Sequence, residues 1–107
     1  MKKGTIKLGG HTINIEMVDV LFDDEQKLLL GKYMDCENTI YISKQAGSRK
    51  SQALLHEIVH AIDDIFNNGG MSEDTVDGIA QGFYQLLKGG DVFRSLVGEY
   101  KNDDGGL

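Results

Sequence analysis

Residues 51–67, SQALLHEIVHAIDDIFN, decide how the rest of this chain is read. Ala53, Leu54, Leu55, Ile58, Val59, Ile62, Ile65 and Phe66 recur at helical spacing and cover most of the circumference, so the stretch predicts a central, buried helix. Between Gln52 and the last two turns, its polar residues are His56, Glu57 and His60, in the pattern H-E-x-x-H. Positions four apart share one helix face, so the two imidazoles can hold one cation between them. Glu57 then leans over the open side of that cation, where a carboxylate can take a proton from water. Two histidines and a glutamate are costly to bury unless something satisfies them, and a metal does so directly. The alternative is a pair of core histidines hydrogen-bonded to their neighbours.

At 107 residues the chain has room for one modest core, so it reads as a single domain over 1–107, β-rich over 1–43 and helical over 48–100. Its net charge of -6 argues against a nucleic-acid partner, because phosphate binding draws on clustered Lys and Arg; Lys2-Lys3 and Arg49-Lys50 are too short to reverse that. Cys36 is the only cysteine, which excludes an intramolecular disulfide and gives no sign of an oxidising compartment. In its polar setting, DCEN, it reads as an incidental surface thiol. The first ten residues, MKKGTIKLGG, lack the apolar run of a signal peptide, and no apolar stretch is long enough to span a bilayer. The expectation is a cytoplasmic protein with no membrane partner. Oligomeric state is not readable.

Thr5 to Leu8 and His11 to Val18 alternate around Gly9-Gly10, which predicts a hairpin, with His11 an exposed residue just after the turn. Val18 to Gln26, with its acidic run Asp23-Asp24-Glu25, reads as a solvated connection; the spaced ligands and central glycine of a calcium loop are missing. Lys27 to Met34 and Thr39 to Ser43 predict two further strands, completing one small sheet of four. Lys44 to Lys50 crosses to the motif helix, with Ser48 or Ser51 as its cap. Asn67 to Gly70 should stop that helix and reverse the chain. A second helix begins at the cap Ser72, buries Val76, Ile79, Ala80, Phe83, Leu86 and Leu87, and ends at Gly89-Gly90. A third, from Asp91 to about Tyr100, presents Val92, Phe93, Leu96 and Val97, before a polar tail expected to fray. The fold class is therefore α+β: a short, mostly antiparallel sheet packed on a central helix and a second antiparallel helix, with a short C-terminal helix.

A catalytic zinc usually takes three protein ligands and keeps a fourth position for water, so one more group is needed after the histidines. Glu73, Asp77 and Tyr84 share a polar face of the second helix, and Glu73 with Asp77 forms E-x-x-x-D. First-turn acids also complement a helix dipole, which is their simpler explanation. HEIVHAID (56–63) followed by SEDTVDGIAQGFYQLL (72–87) resembles the gluzincin branch of the zincin metallopeptidases, and most closely the small ImmA/IrrE-type metallopeptidases of phages and mobile elements. The resemblance covers about residues 30–88. It implies that Glu73 is the third zinc ligand and that Asp77 steadies a histidine or the helix pair. A tight helix hairpin offers the opposite assignment, with Asp77 across from His60 as the ligand.

The resulting expectation is a zinc-dependent metallopeptidase in which His56, His60 and Glu73 bind Zn2+ and Glu57 is general base and then acid. Tyr84 is the first choice for a donor to the developing oxyanion, with Tyr100 or Arg94 next. The resemblance further implies a peptide or protein substrate, with a regulatory, repressor-like protein as the target and Thr39 to Ser43 as the sheet edge that receives it. The additional DNA-binding or sensor segment frequent in that family has no counterpart in 107 residues. A zinc-bearing binding or regulatory module with little or no turnover is the competing expectation, and a metal-dependent nuclease is disfavoured by the acidic charge.

Overall fold

The computed structural model describes residues 4–103; the side chains of Phe93 and of residues 99–103 lie outside that description, so the expectations on Phe93 and Tyr100 find no answer in it. The architecture is α+β. β1 (Gly4–Leu8) and β2 (His11–Val18) form an antiparallel hairpin whose turn residues Gly9 and Gly10 both have positive φ, 53° and 84°. A Cβ on Gly9 would also stand 2.9 Å from Ile65 and Phe66 on the motif helix. Glycine is required there by conformation and by space.

Val18 to Gln26 is not wholly a connection. Leu21–Phe22, β3, pairs with Leu28–Leu29, β4, as a separate two-stranded hairpin around the acidic run. The single strand expected over Lys27 to Met34 is accordingly broken at Leu30, and its second half is β5 (Gly31–Met34). β6 (Thr39–Ser43) follows a short 3-10 turn at Asp35–Glu37. The main sheet has the order β1-β2-β6-β5, with β2 and β6 parallel and the other pairs antiparallel. β6 is thus an interior strand, which corrects the expectation that it forms the substrate-receiving edge; the edge beside the helices is β5. Burial explains the exchange: Ile40 and Ile42 are completely covered, as suits a strand flanked on both sides.

α1 (Lys50–Asn67) lies across one face of the sheet, where Ile13, Ile15, Ile40, Ile42 and Ala53 form the core. Neither Ser48 nor Ser51 caps it. The chain enters from a 3-10 segment, Lys44–Arg49, so Arg49 holds the cap position without a side-chain bond, and the capping hydroxyl sits upstream at Ser43, which accepts from Gln45 N–H. Asn68 ends α1 in the left-handed conformation at φ 52°.

α2 (Glu73–Gly89) returns antiparallel to α1, with Ser72 Oγ accepting the Thr75 N–H as cap. Val59, Val76 and Ala80 make a second small core between the two helices. The expected burial stops there: Phe83, Leu86 and Leu87 are exposed, and so are Val92, Leu96 and Val97 on α3 (Asp91–Asp103). Among the described residues the buried core between the helices reaches only as far as Ala80, and the same apolar periodicity continues past it without cover. No helix is long and apolar enough to cross a membrane among the described residues.

Candidate metal centre

His56 and His60 stand one turn apart on α1, half-buried, with their rings 4.8 Å between centroids and nearly edge to face at 67°. Their Nε2 atoms are 3.1 Å from each other. Glu73, in the first turn of α2, spans the pair: Oε1 lies 2.7 Å from His56 Nε2 and Oε2 lies 3.3 Å from His60 Nε2. Two imidazole nitrogens at that separation cannot both carry a proton, and with a carboxylate beside both the three side chains form a donor set that could hold a cation. Donors about 2.0–2.1 Å from a tetrahedral zinc are about 3.3 Å apart. The separations of 3.1 and 3.3 Å at His60 fit that spacing, whereas the 2.7 Å between His56 and Glu73 is a hydrogen-bond length that would open on binding an ion. Among the described residues, His56, His60 and Glu73 are the group of His, Cys, Asp and Glu side chains whose ligand atoms lie close enough, within 4.8 Å of one another, that they could hold an ion.

Asp77, one turn further along α2, does not face His60. Its Oδ1 lies 2.8 Å from the other nitrogen of His56, Nδ1. With a cation at Nε2, that contact would keep the His56 proton on Nδ1 and free the Nε2 lone pair for the ion.

Glu57 is buried at 8% exposure beside the cluster. Burial pushes its carboxyl pKa up, His56, His60 and the backbone N–H of Tyr33 pull it back, and Glu73 adds to the rise. A Cβ on Gly31 would lie 3.0 Å from Glu57 Cγ and 3.1 Å from Ile42, so β5 passes close against this side chain and a larger residue there would press on it.

A further group, invisible in the motif, sets where Glu73 stands. Asp63 is buried, accepts from Asn67 Nδ2 at 2.9 Å and from Met71 N–H at 3.1 Å, and its main-chain oxygen receives the N–H groups of Asn68 and Gly69. This one carboxylate locks the turn that carries Ser72 and Glu73 to the histidines. A buried acid just before an Asn-Gly stop is the signal that could have revealed it.

The other candidates lie elsewhere. Tyr84 is half-buried on the wall of a cavity of about 800 Å³ that also touches His56, Glu57 and Asp77. It stands roughly three helical turns beyond Glu73, and Lys88 Nζ sits over its ring at 5.5 Å. Arg94 is engaged at the α2–α3 junction, donating to Leu87 O and to Asp91. His11 is exposed at the start of β2.

The edge of β5 faces this centre. Ser43 N–H bonds Leu30 O, and hydrogen-bonded and free pairs alternate along an antiparallel ladder, so the backbone groups of Gly31 and Tyr33 point away from β6. The Tyr33 N–H that reaches Glu57 points the same way. From the centre, one cleft runs past Leu29, Leu30 and the C-terminal half of α2, and another runs past Tyr33, Asp35 and Met71. No protein-family model, curated protein or solved structure was found to match this chain.

Proposed function

We propose that this protein is a zinc-dependent metallopeptidase of the gluzincin type, most like the small ImmA/IrrE-type enzymes, acting in the cytoplasm on a peptide or a regulatory protein. The observation that carries the reading is the convergence of His56 Nε2, His60 Nε2 and the Glu73 carboxylate on one point beside a buried Glu57. The lone, exposed thiol of Cys36 suits a reducing compartment.

His56, His60 and Glu73 would hold the zinc, with Asp77 fixing the tautomer of His56. Zinc bound there lowers the pKa of water and polarises a peptide carbonyl. Glu57 takes a proton from the attacking water; the water's oxygen bonds to the carbonyl carbon, the C–N bond breaks, and Glu57 returns the proton to the departing amine. The raised carboxyl pKa suits a group that must both accept and give back a proton. The peptide lies as an added strand on the outward edge of β5, where Gly31 offers backbone groups directly beside Glu57. Tyr84, set well along α2, we assign to the cleft wall and not to the oxyanion.

The test is Glu57→Gln in zinc-equilibrated protein. Zinc content should stay unchanged while hydrolysis of a peptide mixture falls at least about a hundredfold, the scale of a lost general base. Unaltered cleavage would overturn the assignment. A wild-type protein that retains zinc and a partner yet cuts nothing would instead be the non-hydrolytic module.

A further inference from the structure

The two clefts that meet at the candidate centre differ in charge. Along the C-terminal end of β5 the walls carry Asp23, Asp24, Asp35 and Asp64, with Lys32 the one cation lining that arm among the described residues. Asp23, Asp35 and Asp64 each spend one oxygen locally, on the Glu25 and Lys27 N–H groups, the Cys36 N–H and the Tyr33 hydroxyl respectively. A carboxylate has room for further donors, so all four still present negative charge to the arm. Along the N-terminal end of β5 the walls carry instead Arg49 and Lys88, with the amides of Gln52, Gln81 and Gln85. Asp77 is the acid there apart from Glu57, and its oxygen is turned to His56.

A strand added to β5 pairs best antiparallel. Its N-terminal half then runs beside Tyr33 and Asp35, in the acidic arm, and its C-terminal half beside Gly31 and Leu30, in the basic arm. We infer that the substrate is an extended segment of opposite polarity, with Lys or Arg side chains on the N-terminal side of the cleaved bond and Asp or Glu on the C-terminal side. This rests on the peptidase reading for the position of the bond, though not for the polarity of the cleft. The chain's net charge of -6 would attract any basic peptide, so what counts is the order of charges and not their sum.

The experiment uses full-length Glu57→Gln protein loaded with zinc and two fluorescent peptides of identical composition, both acetylated and amidated. One carries a pair of arginines before a central leucine and a pair of glutamates after it; the other has the pairs exchanged. The first should bind at least about tenfold more tightly, with the difference shrinking at high salt and on Asp24→Lys or Arg49→Glu, two exposed positions. Equal binding of the two orders, or preference for the exchanged one, overturns the inference. A preference that appears only when the α-amine is free also overturns it, since the acidic arm would then be reading a terminus and not side chains. Cleavage by the wild-type protein separates the two levels: hydrolysis indifferent to charge order leaves the peptidase and removes the polarity, whereas ordered binding without hydrolysis does the reverse.

Discussion

The first two turns of α2 and the region from Phe83 to Val97 carry the same kind of apolar spacing and meet opposite fates. Val76 and Ala80 are buried against Val59 of α1, while Phe83, Leu86 and Leu87 are exposed and Val92 on α3 is 73% exposed. Periodicity reports that a helix has an apolar face; it does not report whether anything lies opposite. What distinguishes the buried segment is its anchorage, through the Asp63 turn and the Ser72 cap, directly across from the histidines. The acid of the His56–His60–Glu73 cluster stands in that anchored segment.

The sharpest way to break this contrast is to put the same charge into each half. Val76→Lys buries an ammonium with no partner in the helix-helix core and should cost more than about 4 kcal/mol, seen as loss of the cooperative urea transition. Leu96→Lys, at a position 59% exposed, should move stability by no more than about 0.5 kcal/mol. Comparable losses at both sites would mean that α3 is packed as tightly as the proximal part of α2.

Between these extremes lies Asp63→Ala. Removing the acceptor of the Met71 N–H and the Asn67 amide should cost about 1–3 kcal/mol in urea unfolding and weaken zinc binding, because Glu73 is carried by that turn. Stability lost with zinc affinity intact would detach the turn from the centre.

The smallest effect concerns how β5 is held on α1. Tyr33 donates to Asp64 at 3.0 Å, and burial first, then Asp64, pushes its pKa from 10.0 up to about 12. The folded form therefore keeps this proton where the unfolded chain loses it. The contribution is fully present below pH 10.0 and declines as pH rises toward about 12. Tyr33→Phe should flatten that part of the stability profile, measured by thermal unfolding across it. An unchanged slope would place the titration elsewhere.

How far these features could be read from residues alone varies with their range. The β1–β2 hairpin and the Ser72 cap follow from local chemistry, and the structure has both. The two histidines one turn apart follow from helical spacing. The pairing of Glu73 across both imidazoles, with Asp77 behind His56, depends on the register between two helices, which the turn at Asp63 sets and no periodicity encodes. Strand order was illegible for the same reason. Thr39 to Ser43 and Lys27 to Met34 both read as strands, and only the parallel pairing of β6 with β2 makes one interior and leaves β5, the second half of the other, at the edge. The β3–β4 hairpin is too short, at two residues a side, to leave a pattern.

The direct test of the centre is X-ray absorption at the zinc edge on the purified, zinc-equilibrated protein. The account predicts one zinc per chain in a first shell of nitrogen and oxygen at about 2.0–2.1 Å, with the outer-shell signature of two imidazoles. A shell containing sulfur from Cys36, or protein that retains no zinc at neutral pH, would contradict it.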